Sequence, residues 1–474
     1  MLFSSNIFLF FFLPAVLFIY YVFFGKSRAF QNAFLFFSSL FFYAWGEPKF
    51  VLVMAGSIVM NWLIGYMIGR DEKRATRAKT ALAIGVAANL LVIFVFKYLM
   101  FTMGNINLLF GIDLSIPVIE LPIGISFFTF QSMSYLVDVY RNDGRMQRNL
   151  INVGLYIAFF PQLIAGPIVR YNSIDEQIGT RQESVQLFSE GVERFIIGLA
   201  KKVIIANTMA TVADFAFDNP EGLSALLAWL GAAAYTMQIY FDFSGYSDMA
   251  IGLGRMFGFE LEENFNYPYI SKSITEFWRR WHMSLGTWFR DYLYIPLGGN
   301  RTKSKARHIF NIFVVWLCTG IWHGANWTFI GWGLMYFVLL IFEKNTGYDV
   351  ADKEGRHHLI KHIYTMLFVI FGWVLFRAES ISAAAEYMKA MAGMGCPLIN
   401  DGFLEYFRQS AVYLIMAIIG STPLVSRILK KRDANTGAGK VLTVVTALYL
   451  IGIFIVSVSF IVKDTYNPFI YFNF

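Results

Sequence analysis

The chain alternates long uncharged runs with short basic loops. Leu2 to Phe24 carries no charge. At about 1.5 Å of rise per helical residue, that stretch is long enough for the roughly 30 Å hydrocarbon core of a bilayer. It lacks the basic start and small-residue cleavage site of a signal peptide, so it reads as a first span. Comparable runs lie at 30–45, 49–69, 80–101, 121–139, 150–168, 223–243, 308–326, 328–342, 359–376, 409–424 and 440–462. The pattern predicts an all-α, polytopic integral membrane protein with about 11–14 transmembrane or re-entrant helices. Between 170 and 298 the apolar residues are interrupted by Glu193-Arg194, Lys201-Lys202, Glu276, Arg279-Arg280 and Arg290-Asp291. Such segments are expected as amphipathic or re-entrant helices, tolerated at membrane depth only where they pack in protein or line a wet cavity. No internal repeat or low-complexity stretch is visible, and one membrane domain over 1–474 is the simplest partition.

The loops supply an orientation. Lys26 and Arg28, then Arg70, Lys73, Arg74, Arg77 and Lys79, then Arg141, Arg145 and Arg148 each follow an odd-numbered span among the first five. The loop 102–120 has neither Lys nor Arg. The positive-inside rule therefore places the basic loops in the cytoplasm and the N-terminus outside. Continuing with Arg301 to Arg307, the 343–361 loop and Arg427 to Lys440 makes 463–474 an extracytoplasmic tail of a multi-pass cell-membrane (inner, cytoplasmic) protein.

Composition narrows the classes. Apolar residues make up 57% and charged residues 15% of the chain, against roughly 45–50% and about 25% in soluble proteins. An ordinary soluble enzyme is excluded. The net charge of +7 resides in loops that topology explains, so a nucleic-acid partner is excluded too, whereas membrane lipids are expected neighbours. Cys318 and Cys396 are too few for a disulfide framework or a thiolate metal site.

Three polar clusters are candidates for chemistry. The densest runs from Ser271 to Tyr292. On a single helix it would bring His282, Trp278 and Phe289 near one face, with Arg279, Arg280 and Arg290 available to anionic groups such as phosphates. The same residues suit an interfacial helix with aromatic anchors. The second, Cys318 to Trp327, holds His323 beside Gly324 near the end of an apolar run. An ionisable group at membrane depth is costly and marks a functional candidate, although a neutral histidine tying two helices together has the same signature. The third, Tyr240 to Ala250, contains Asp242 and Asp248. Asp242 would orient a histidine, hold an arginine or form a structural ion pair. His357, His358 and His362 include an i, i+4 pair but have no acidic or Cys partner in register, so no metal site is expected. Walker, dinucleotide-binding and GxSxG motifs are all missing, and with them any support for ATPase or serine-hydrolase chemistry.

At these residues the sequence resembles the membrane-bound O-acyltransferase family, in its bacterial branch of alginate O-acetyltransferases and teichoic acid D-alanyl transferases. The resemblance rests on Phe3-Ser4-Ser5-Asn6, Phe159-Phe160-Pro161-Gln162 with Gly166-Pro167-Ile168, Phe241 to Tyr246, Phe277 to Asp291, Pro296 to Asn300 and Trp322-His323-Gly324, in that order along nearly the whole chain. The core motifs fall at about 120–345. The resemblance implies a ring of helices around a thin catalytic centre, with a cytoplasmic funnel for an acyl thioester and an opposite opening for the acceptor. It also implies catalysis by His323 and by His282, which lies 41 positions upstream. Asp242, Asn264 and Trp322 are expected to support or orient them, and Trp278, Arg279 and Arg280 to bind the donor. The terminal run Asn467 to Phe474 resembles the C-terminal motif of the small accessory peptide of D-alanylation, which makes Tyr471 a candidate acyl relay.

The expected reaction is acyl transfer, most simply of acetyl, from coenzyme A or a carrier protein's phosphopantetheine to a hydroxyl, with no permanently bound cofactor. An imidazole with a pKa near 6.5 suits the general base at neutral pH. His282 would orient the acceptor or stabilise the oxyanion. An extracytoplasmic partner, either a secreted acyltransferase or a polysaccharide, would receive the acyl group. Two other classes fit the hydropathy: a transporter or flippase, which usually shows two related halves, and a scaffold without chemistry of its own.

Overall fold

Apolar runs of this length satisfy their backbone polar groups internally as helices, the one open-ended solution available in lipid. In the computed structural model, which describes residues 1–23, 27–70, 76–302, 304–348, 358–429, 437–463 and 466–470, every regular element among the described residues is helical. Six helices are long and apolar enough to cross a membrane: Val51–Gly69, Thr76–Phe110, Val185–Asp218, Trp327–Thr346, His358–Arg377 and Gly439–Lys463. The first predicted run forms a shorter apolar helix, Phe8–Val22.

Three expectations need correction. The run 150–168 is not one span. Its helix Leu150–Ala158 stops at Phe159, which turns to ψ 112°, and the chain restarts as Phe160–Leu163 with Pro161 in the first turn. An uninterrupted helix would lose the Pro161 hydrogen bond and press its ring on the preceding turn. The second concerns Val185–Asp218, which is one continuous helix long and apolar enough to cross a membrane. Its lysines are carried by internal ion pairs, Lys201 with Asp248 and Lys202 with Asp242, each at 2.6 Å. Third, Ser271 to Tyr292 is not one helix: Ile274–Arg280 and Met283–Phe289 are separate short helices, followed by a π-helical turn over Arg290–Tyr294.

The chain packs as two units. One comprises Met1–Phe195 with Met249–Glu262. Small residues allow close helix approach there: a Cβ on Gly65 would lie 2.3 Å from the Tyr135 ring, and one on Gly154 2.4 Å from Phe36. The buried Arg181 guanidinium donates to Asn32 Oδ1 at 2.7 Å and to the carbonyls of Ile178 and Phe257 at 3.0 and 3.1 Å. A buried cation is tolerated only with this density of acceptors.

The other unit comprises Ile196–Asp248 with Glu263–Phe474 and holds every described site residue. Its centre is a helical hairpin, Lys305–His323 and Trp327–Thr346. The two helices touch backbone to backbone, because a Cβ on Gly320 would lie 2.5 Å from the Phe329 carbonyl and one on Gly333 2.5 Å from that of Trp316. Aromatic rings surround the hairpin. Trp278 packs edge-on against Trp316, Trp332 and Tyr336 with centroids 4.9, 5.4 and 4.9 Å away. Edge-to-face geometry of this kind adds about 0.5–1.5 kcal/mol per pair beyond burial.

Candidate active site

His323 is the last residue of the Lys305–His323 helix, and Gly324 follows in extended backbone. The site needs a glycine there: a Cβ on Gly324 would lie 2.2 Å from the Phe329 ring. The imidazole is buried and boxed edge-on by Trp322, Trp332 and Phe376, with centroids 5.0, 5.0 and 5.1 Å away.

His282 sits at the break between the two short helices, in the left-handed region at φ 45°, ψ 52°. A non-glycine residue rarely holds that conformation and does so only where surrounding contacts over-determine it. Those contacts come from Asn264. Its backbone carbonyl accepts the Met283 N–H at 2.9 Å. Its side-chain Oδ1 accepts from Ser284 Oγ at 2.9 Å and from His282 Nδ1 at 3.0 Å, while its Nδ2 donates to Ser247 Oγ at 3.0 Å. The Ser284 N–H, which can only donate, points at Oδ1 at 3.3 Å and fixes that end of the amide as oxygen, and that oxygen makes Nδ1 the protonated nitrogen of a neutral His282. Nε2 is then a lone-pair acceptor. It is buried and has no hydrogen-bond partner among the described residues.

The two histidines share one neighbour. The Trp322 ring lies 5.9 Å from the His282 ring and 5.0 Å from that of His323. Asn264, His282, Trp322 and His323 therefore form one buried cluster.

The other sequence candidates are placed differently. Among the described residues Asp242 pairs with neither a histidine nor an arginine. It is buried with Lys202, and its Oδ2 accepts the Ile470 N–H at 2.9 Å. Arg280 is committed to Glu276 at 2.9 Å and to the Asn266 carbonyl at 3.0 Å, whereas Arg279 is exposed. Trp278 belongs to the aromatic wall. His357 lies outside the described residues; His362 Nδ1 donates to the Ser271 carbonyl at 3.0 Å, and Lys272 Nζ lies 3.0 Å from His358 Nδ1. Tyr471 also lies outside the described residues, but the chain up to Ile470 is not a surface tail. Phe469 and Ile470 are buried. Phe469 and Ile470 also line a cavity of about 250 Å³ together with Phe329, Phe376 and Arg377. Phe376 is the ring that packs on His323.

Two residues escaped the sequence reading. Glu343, expected in a loop, is a fully buried residue of Trp327–Thr346. Its carboxylate accepts the N–H groups of Ile274 and Thr275 at 2.6 and 2.9 Å, anchoring the positive end of the Ile274–Arg280 helix. Lys202 is the partner of Asp242. The only sequence signal for either was a charge out of place in an apolar run.

A multi-pass membrane protein with paired buried imidazoles is thus equipped for acid–base chemistry. The model of the membrane-bound O-acyltransferase family matches residues 37–383, and the chain belongs to that family. Its similarity extends over full length to a probable alginate O-acetylase of Pseudomonas putida, 42% identical over 100% of both chains. A probable alginate O-acetylase of Pseudomonas aeruginosa is 44% identical over 92% of this chain and 85% of that protein. A peptidoglycan O-acetyltransferase of Helicobacter pylori is 36% identical over 83% and 80%. The protein is an O-acyltransferase, which decides against the carrier and the scaffold.

Proposed function

We propose that this acyltransferase moves an acyl group, most simply acetyl, from a cytoplasmic thioester across the membrane to hydroxyls of a cell-surface polysaccharide. The observation that carries the reading is the Asn264–His282–Trp322–His323 cluster beside a cavity lined by the C-terminal segment. The names of the relatives, alginate O-acetylase and peptidoglycan O-acetyltransferase, support a polysaccharide destination. Coenzyme A and a carrier protein's phosphopantetheine present the same thioester, and both remain donors of the proposal. The basic-loop asymmetry supports an N-terminus and a C-terminal tail outside the cell membrane.

In the proposed step His323 takes the proton of the attacking hydroxyl, and the oxygen adds to the thioester carbonyl. The carbon–sulfur bond then breaks, and the imidazolium returns its proton to the thiolate. His282 Nε2 is an acceptor in this geometry, so it orients a hydroxyl by accepting its hydrogen bond and does not donate to the oxyanion. Tyr471 is the proposed first acceptor, its phenol taking the acyl group as an ester before an extracytoplasmic acyltransferase or polysaccharide receives it. Arg279, the exposed one of the two adjacent arginines, is the better candidate for the donor's phosphates.

The test uses the purified protein in proteoliposomes with radiolabelled acetyl-coenzyme A. An alkali-labile acyl ester is expected on the wild-type protein and none on Tyr471→Phe. Equal labelling of both would remove the relay.

A further inference from the structure

We infer that the buried Lys202–Asp242 pair is a seat that grips the backbone of the C-terminal segment and fixes the register of the chain that leads into Tyr471. Both side chains are 2% exposed and 2.6 Å apart. A buried ion pair is tolerated only when its remaining hydrogen-bonding capacity is used. Here the C-terminal segment uses it: Asp242 Oδ2 accepts the Ile470 N–H at 2.9 Å, and Lys202 Nζ donates to the Pro468 carbonyl.

These contacts are to main-chain groups two residues apart, the carbonyl of one residue and the N–H of the next but one. A neighbouring β-strand engages a chain through the same pair of groups. Two charges in fixed positions therefore read the main chain and its register. The side chain between them is held as well. Phe469 packs at a tilt against Tyr246 with centroids 4.9 Å apart, and Lys202 Nζ lies 5.6 Å from the Phe469 ring centroid. Upstream, Asn207 Nδ2 donates to Asn467 Oδ1 at 3.3 Å, and the Tyr466 hydroxyl donates to Asp214. Each of the five residues 466–470 is thus fastened.

The pair is not needed simply to join its two helices. Lys201, one position before Lys202, and Asp248, six positions after Asp242, already join the same two helices at 2.6 Å in a more exposed setting. The backbones also touch directly, since a Cβ on Gly245 would lie 2.8 Å from the Gly198 carbonyl. The Lys201–Gly198–Gly245–Asp248 contacts secure the helices, and Lys202–Asp242 faces the chain end. Lys202 and Asp242 are positioning residues: they touch neither donor nor acceptor but hold the segment at the cavity whose Phe376 wall packs on His323.

The inference rests on the relay reading for its catalytic consequence, but its structural part is measurable without any acyl chemistry. Hydrogen exchange by mass spectrometry on the full chain in nanodiscs would follow residues 466–470 in wild type, Lys202→Met, Lys202→Arg and Ile470→Pro. Ile470→Pro deletes the gripped N–H together with the packing of the Ile470 side chain, and leaves the ion pair and its helices untouched. Loss of a charge-assisted bond predicts exchange about 10- to 100-fold faster over 466–470 in Lys202→Met and Ile470→Pro, with the helices unchanged. Acyl transfer is expected to fall by a comparable factor with the donor KM unaltered, and Lys202→Arg to restore most of both. If Lys202→Met loosens the helices as well, Ile470→Pro decides alone. Unchanged exchange in Ile470→Pro, or faster exchange with undiminished transfer, would overturn the inference. Acylation that survives His323→Ala would defeat the catalytic reading and leave the exchange result standing.

Discussion

Asn264 decides which nitrogen of His282 is free. The Ser284 N–H donates to its Oδ1 at 3.3 Å, so that oxygen faces the imidazole and Nε2 is left as an acceptor. Asn264→Ala removes that constraint and the carbonyl-side anchor of Ser284 together. The expected result is a fall in kcat of about tenfold or more, the equivalent of one hydrogen bond of roughly 1.4 kcal/mol, with the donor KM unchanged. Steady-state kinetics in proteoliposomes checks this, and an unchanged kcat would remove Asn264 from the site. At this scale His323 stands out in the sequence because an imidazole in an apolar run is expensive, and His282 because it lies in the densest polar cluster. It was less so about Asp242: its partner Lys202 lies 40 positions upstream, and nothing in the local pattern of either helix indicates that the two meet.

The helices place these groups by close approach. The hairpin Lys305–His323 and Trp327–Thr346 closes on Gly320 and Gly333, each with a carbonyl 2.5 Å from where a Cβ would stand. Gly320→Leu must push the helices apart and carry His323 away from Trp332 and Phe376. Overpacking of this kind costs about 1–3 kcal/mol, so the variant is expected to melt several degrees lower in detergent and to lose most of its transfer activity. Differential scanning fluorimetry with a parallel transfer assay checks both, and wild-type values for both would show that the close approach is dispensable. Period and hydropathy foretold this hairpin and most membrane helices. They did not foretell the break at His282, because Trp281, His282 and Met283 are all compatible with a helix. The break is imposed by tertiary bonds, Asn266 N–H to the Arg280 carbonyl and Met283 N–H to that of Asn264. Pro161 did mark the break in the run 150–168, where hydropathy alone outvoted it.

Taken as a whole molecule, the chain is a multi-pass membrane O-acyltransferase, and His323 is its proposed general base. Hydropathy gave the membrane, since it is a sum over many residues. The burial of the segment 466–470 was not legible, because a short aromatic run reads equally well as a surface anchor, and only the Lys202–Asp242 pair and the cavity beside Phe376 distinguish the two. The most direct measurement is the ester-linked acyl content of cell-surface polymers, released by mild base and identified by mass spectrometry. It compares cells with the intact protein and cells with His323→Ala at equal membrane levels. A general base is worth about 10²- to 10⁴-fold in rate, so one released acid is expected to disappear in the variant, and its mass would name the acyl group. An unchanged profile would contradict the account.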